Sequence, residues 1–402
     1  MNRQNTPRLN DSDVLLAGLA FTSRTETLED YLKDKAGTLT VISISSCFLK
    51  ENLSSCRVYE QGRKVKDFKI PNFRIKDYTW WRQPLVVLVF MVNWFSVCYC
   101  LLRLRKKFDF YFGVSHSFAL WGALLKKLGI VKTLIYYCID YYHPGDKLTF
   151  NYLFVNFLNW LDRFTVRNSD CIWDLSRRIP VEREKRGGIR FGSYKNTVVP
   201  LGYSSHLRRC KPFPGIRRWD IGFVGSVSAN QGLQLLVEAM PEITRVLPQV
   251  TVTVIGQGPY LGDLKKMVNS SNLGKHFNFL GFIKDENEML DILCASAISV
   301  ALYAKDDFGN QACADTGKPK LYCLLGLPVI TTDSYMLHEE ISGKSAGIVI
   351  EYDVNELAQS VKYLLEDDGR LEGFRQRSYK LGENFISDRI FDAALESCGL
   401  HK

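Results

Sequence analysis

Apolar positions along the chain alternate between short unbroken runs and longer stretches in which they recur every three or four residues. The runs read as buried strands and the periodic stretches as helices. In the first half, strands are predicted from Asp13 to Phe21 and Thr38 to Ser45, and once or twice between Arg57 and Phe73. Further strands follow from Phe108 to Ser115, Lys132 to Asp140, Cys171 to Leu175 and Thr197 to Leu201, with helices from His116 to Leu128 and Phe150 to Phe164. The second half repeats the alternation. Its strands are predicted at Ile221 to Val224, Val250 to Ile255, Phe277 to Leu280, Ile298 to Leu302 and Val329 to Thr331, and its helices at Gly232 to Val246, Glu286 to Cys294 and Val354 to Leu365. Strand, helix, strand with short loops is the mark of a parallel sheet, whose ligands bind beyond the strands' C-terminal ends.

A chain of 402 residues exceeds what one core supports. Arg208 to Asp220, RRCKPFPGIRRWD, has linker composition. The predicted architecture is therefore α/β, with two Rossmann-like doubly wound domains facing a cleft. Residues 1–207 form the first, 208–219 the linker and 220–402 the second, with the last helix a candidate to pack back on the first domain.

Charge changes this picture. The net +9 is uneven: residues 1–200 hold 31 Lys+Arg against 18 Asp+Glu. A basic half suits an anionic surface, either acidic lipid or nucleic acid. Tyr136, Tyr137 and Trp173 sit in buried patterns rather than among Lys and Arg, so no nucleic-acid partner is expected. Pro84 to Leu102 is the most apolar stretch, flanked by Trp80, Trp81 and Arg82 before it and by Arg103, Arg105, Lys106 and Lys107 after it. Asn93 at its middle and a strand immediately after it favour a buried or interface-lying helix over a span. Eleven cysteines at irregular positions, without a CxxC pair, read as buried thiols in a reducing compartment. With a polar N-terminus as well, the expected location is cytoplasmic, peripheral on the inner face of the cell membrane.

Candidate chemistry lies at the loops. The stretch from Gly317 to Thr332, GKPKLYCLLGLPVITT, reads as a helix, a Gly326 stop and a buried strand. Its helix N-terminus would offer N–H groups to an anion, and Lys318 adds a charge there. Gly225 and Ser226, and then Gly256 and Gly258, lie just past two other strands, where glycine lets backbone approach a ligand. VIGQGPYLGDL loosely matches a dinucleotide fingerprint. No convincing acidic residue ends the next strand, which argues against a nicotinamide cofactor.

Five segments in order, IGFVGSVSANQGLQLLVEAM, VTVTVIGQGPYLGDL, FNFLGFI, ISVALYAKDDFGNQACADTGKPKLYCLLGLPVITTD and AGIVIEYDVNELAQSVKYLLEDD, resemble the donor half of a GT-B glycosyltransferase. The resemblance is to the large family-4-like group, near its galactofuranosyltransferase-like members, and runs from Ile221 to about Asp368. It implies a C-terminal domain holding a UDP- or GDP-sugar and an N-terminal domain holding a glycan or lipid-linked saccharide acceptor. Gly225 and Ser226 then match the loop at the donor diphosphate. Lys318, Tyr322, Gly326, Pro328 and Val329 match the family's K-x-x-E-Y-x-x-x-G-x-P-V block. Two positions depart from the pattern: Leu321 replaces the glutamate that grips the ribose, and Gln231 replaces a phosphate-binding lysine. Asp315 is a substitute candidate for the ribose, and Asp306 and Asp307 lie near the family's first acidic position.

On the acceptor side, His116 stands where family members place a histidine facing the donor sugar. Asp140, past a strand, is positioned in sequence to take a proton from an acceptor hydroxyl, with His143 a third candidate. The expected reaction is metal-independent glycosyl transfer without a cofactor, in polysaccharide or glycoconjugate biosynthesis. Retention or inversion stays open. The alternative is a non-catalytic GT-B scaffold that binds a nucleotide-sugar or a partner.

Overall fold

The computed structural model describes residues 8–20, 23–45, 53–72, 95–142, 148–304, 315–333 and 337–400. Residues 84–94 of the apolar stretch, His143, Asp306 and Asp307 lie outside them. The chain forms two compact units, residues 1–200 with 387–402, and residues 201–386.

The first unit begins β1 (Asp13–Leu19), α1 (Ser23–Lys33), β2 (Thr38–Ile44), β3 (Ser55–Glu60), β4 (Arg63–Lys69) and a helix α2 described over 95–104. It continues β5 (Phe108–Val114), α3 (His116–Lys127), β6 (Val131–Cys138), α4 (Phe150–Asn168), β7 (Cys171–Asp174), α5 (Arg178–Gly187) and β8 (Asn196–Val198). The strands form one sheet in the order β4-β3-β2-β1-β5-β6-β7-β8, parallel except for β3 and β4. Its central strands are buried along nearly their whole length, as expected of a sheet covered on both faces. The order reverses between β1 and β5, so the loops after these strands diverge and leave a crevice.

The chain's last helix, α13 (Ser387–Ser397), belongs to this unit. Tyr31 donates to Asp392 at 2.6 Å, and Phe391 stacks on Trp173 at 5.9 Å. One expectation is corrected here: Cys171 and Cys398 form a disulfide rather than two thiols, their Cα atoms 6.0 Å apart. The fold brings together two residues 227 positions apart, which cysteine spacing cannot reveal.

The second unit contains β9 (Arg217–Val224), α6 (Leu233–Val246), β10 (Thr251–Ile255), α7 (Leu261–Ser270), β11 (Phe277–Gly281), α8 (Glu286–Cys294) and β12 (Ser296–Ala301). It ends α9 (Gly317–Leu324), β13 (Val329–Thr332), α10 (Leu337–Gly343), β14 (Gly347–Ile350), α11 (Val354–Leu365) and α12 (Asp368–Gly382). Its sheet is wholly parallel in the order β11-β10-β9-β12-β13-β14, the Rossmann order, with the switch point between β9 and β12. Gly326, left-handed at φ 67°, ends α9 and lets the chain turn straight into β13. No helix among the described residues is long and apolar enough to cross a membrane.

Candidate active site

In the second unit, the turns after β9 and β10 are laced together by backbone. Gly225 N donates to Ile255 O at 2.9 Å, Val227 N to Gln257 O at 3.0 Å and Tyr260 N to Val227 O at 3.1 Å. This closeness dictates the glycines. Gly225 and Gly256 have φ of 136° and 140°, and a Cβ on Gly256 would collide with the Gly225 carbonyl oxygen. A Cβ on Gly258 would likewise strike the carbonyl of Val227. Ser226 stands exposed at the crest of the first turn.

Lys318, in the first turn of α9, extends across this turn. Its Nζ lies 4.6 Å from the centre of the Phe223 ring and 5.7 Å from that of Tyr303, and it donates to Gln231 Oε1. Burial lowers its pKa to about 8, and it has no carboxylate partner among the described residues. A cation desolvated without a counter-ion is costly, and an anion at the turn would relieve that cost. At the same helix end the Thr316 hydroxyl is buried without a hydrogen-bond partner. Gly225, Lys318 and the α9 N-terminus therefore form one anion-receptive corner at the switch point.

The remaining donor-side candidates take other positions. Tyr322 is buried, and its hydroxyl accepts from Val224 N at 3.1 Å, so it props the end of β9 just before Gly225. Asp315 accepts from Leu201 N and from the buried Lys320 ammonium, which also donates to Leu201 O at 3.0 Å. Its carboxylate is thus engaged in tying the start of this unit to α9. Leu321 packs in the core.

In the first unit, His116 opens α3 immediately after β5. The preceding Ser115 has φ 74°, uncommon for a residue other than glycine, and its N–H donates to Tyr137 O at 2.8 Å. That strained turn sits at the sheet's own switch point. His116 is buried, and burial lowers its pKa although Asp162 and Asp140 oppose the shift, so the ring is neutral at pH 7. Asp140 lies exposed two residues past β6. The fold thus brings His116 and Asp140 within electrostatic reach of each other.

Sequence reasoning missed what lies near them. The fully buried Arg183 guanidinium donates to Asp162 at 2.8 Å and to Asp174 at 2.9 Å, and also to Tyr194 at 2.7 Å. Tyr136 donates to Asp162 at 2.7 Å and Asn196 to Asp174 at 3.1 Å. This network joins β6, α4, β7 and α5. A lone aspartate in the apolar α4 run was the available signal.

Comparison with known proteins adds a family resemblance. Residues 218–367 match the family Glycosyl transferases group 1. The chain has the GT-B fold, and its second unit resembles the group 1, family-4-like glycosyltransferases. It is 26% identical over 170 residues to the GPI3 subunit of phosphatidylinositol N-acetylglucosaminyltransferase from Saccharomyces cerevisiae, covering 40% of this chain and 36% of that protein. It is 23% identical over 295 residues to alpha-monoglucosyldiacylglycerol synthase from Streptococcus pneumoniae, covering 70% of this chain and 61% of that one. The chain thus spans about a third to three-fifths of these relatives' lengths. HepE of Anabaena, solved with UDP, shares the GT-B fold at a TM-score of 0.66 and 15% identity, over 96% of this chain and 99% of that one.

Proposed function

We propose that this GT-B protein transfers a sugar from a UDP- or GDP-linked donor to a glycan or lipid-linked saccharide, at the cytoplasmic face of a membrane and without a metal ion. The observation that carries the reading is Lys318, half-buried and without a carboxylate partner among the described residues, facing the Gly225 turn at the α9 N-terminus. As the donor bond breaks, negative charge grows on the leaving diphosphate. Lys318 and the N–H groups of the Gly225–Ser226 turn and of α9 are suited to take it up. Neutral His116 would hydrogen-bond the donor sugar, and Asp140 would take the acceptor hydroxyl's proton. Relatives named for lipid-bearing acceptors support that acceptor class.

The test is a thermal-shift panel of UDP, GDP, ADP, CMP and NADH on wild type and Lys318→Ala. One nucleoside diphosphate is expected to stabilise the wild type by about 2.7 kcal/mol at a hundredfold excess over Kd, and the variant much less. Silence from every nucleotide would overturn the reading. Leu321, in place of a ribose-gripping glutamate, favours the second reading, a scaffold that binds nucleotide-sugar without turnover. Donor binding without product release in a radiolabelled-sugar assay would select it.

A further inference from the structure

The sugar-transfer reading leaves one feature of the first unit unused. Helix α4 buries one stripe, Val155, Leu158, Asp162 and Thr165, yet its opposite stripe is also apolar. Leu153, Phe157, Trp160 and Phe164 follow at spacings of four, three and four, which places them on one face. Leu153 is 59% and Trp160 53% exposed. The rings form a continuous layer: Trp160 stacks on Phe157 at 6.1 Å and on Phe164 at 6.4 Å. Trp121 of α3 packs, as Phe157 does, against the buried Leu158 and Leu161 of α4, and Phe95 of α2, 62% exposed, meets Trp121 at 5.8 Å.

The exposed charge on the described residues of these helices has one sign. Helices α2, α3 and α4 contain one acid, Asp162, and it is buried in its pair with Arg183. Their basic residues are Arg103, Lys126, Lys127, Arg163 and Arg167. Lys127 sits 4.8 Å over the Phe164 ring, and Lys126 is paired with Asp170 at 2.6 Å. A helix whose exposed stripe is aromatic, and whose neighbouring charges are positive apart from the Asp170 carboxylate paired with Lys126, matches an interface between hydrocarbon and anionic headgroups. A protein partner for such a face would need matching acids, whereas a bilayer supplies apolar depth and negative charge together.

We infer that the outer stripe of α4, with Phe95 and Trp121 beside it, is a docking surface for a bilayer containing anionic lipid, on which α4 lies in the headgroup plane. The inference rests on the proposed function for its purpose, because a lipid-linked acceptor must be met at a membrane; its observations are independent of the donor site. Docking would hold the first unit at the surface where such acceptors are anchored.

The test is cosedimentation of the full chain with vesicles of phosphatidylcholine alone or with phosphatidylglycerol added. Wild type is expected to pellet with the anionic vesicles, and less so as salt rises. The pair Leu153→Ser and Trp160→Ser should weaken binding by about tenfold or more. The set Lys127→Glu, Arg163→Glu and Arg167→Glu should do the same through charge. Both sets lie on the surface, so an unchanged melting temperature and an unchanged nucleotide thermal shift show that the fold and donor site persist. Wild type that ignores anionic vesicles overturns the inference even if it binds a nucleoside diphosphate. Undiminished binding by both variant sets overturns the assignment to this face. Concentration-dependent self-association that the serine pair abolishes, without vesicle binding, would show instead that a second copy covers it.

Discussion

The Lys318 side chain occupies the space that a side chain on Gly225 would need: a Cβ there would stand 2.6 Å from Lys318 Cε. The glycine and the lysine are one feature. Gly225→Ala must either displace the lysine or straighten a backbone held at φ 136°. The backbone cost alone is about 1 to 3 kcal/mol. The expected result is a modest fall in melting temperature together with loss of the nucleoside-diphosphate thermal shift. A variant that keeps the full shift would show that the diphosphate does not approach this turn.

The depressed pKa of Lys318 gives a pH dependence with a definite sign. Burial lowers it from 10.5 to about 8, so the unfolded chain holds the proton more tightly between those values. The lysine's unfavourable contribution is therefore relieved as pH rises from about 8 toward 10.5, and its share of stability increases. Diphosphate affinity runs the opposite way, because the anion needs the ammonium. Calorimetric titration of UDP or GDP should show affinity falling above pH 8, by at most about tenfold per unit. Lys318→Ala should bind weakly with no such slope. A slope that survives in the variant would assign the titration elsewhere.

The sheet strands and the glycine turns after them were legible in the sequence, because buried parallel strands are unbroken apolar runs and the glycines follow them directly. Lys318 was legible as a charge at a helix start; its burial over Phe223 and Tyr303 was not, since those rings come from other strands. Asp315 looked available for a ribose because the sequence gives no sign that Lys320, five residues on, turns inward to claim it. The Cys171–Cys398 bond and the Arg183 pairings depend on which helices return to β7, information carried by the whole topology rather than by any local pattern.

Arg183 supplies the next prediction. Its two aspartates lie in different elements and neither reaches bulk water. Removing the arginine leaves two buried carboxylates without their cation, at a cost of about 3 to 5 kcal/mol, whereas removing Asp162 leaves a one-to-one pair and strands the Tyr136 hydroxyl and part of the guanidinium, at a cost of about 1 to 3 kcal/mol. Asp162→Ala should lower the melting temperature by several degrees and the urea midpoint with it. Arg183→Met, which strands two carboxylates, should cost at least as much. Replacing Asp162, Asp174 and Arg183 together by apolar residues should recover part of the loss, and a triple variant no better than the singles would count against charge burial as the cause.

The acceptor-side residues differ in how their loss should read out. His116 is buried and neutral beside the Ser115 turn, whereas Asp140 is exposed. If Asp140 takes the acceptor proton, Asp140→Asn preserves shape and hydrogen bonding but removes the base. Turnover should then fall by about 10² to 10⁴ while donor binding is unchanged. His116→Asn should cost less in turnover and more in the KM for the donor sugar, because its proposed task is to hold that sugar rather than to move a proton. Initial rates against donor concentration separate the two. Equal losses in kcat alone for both variants would give His116 a direct part in the chemistry, and an unaffected Asp140→Asn would require another base.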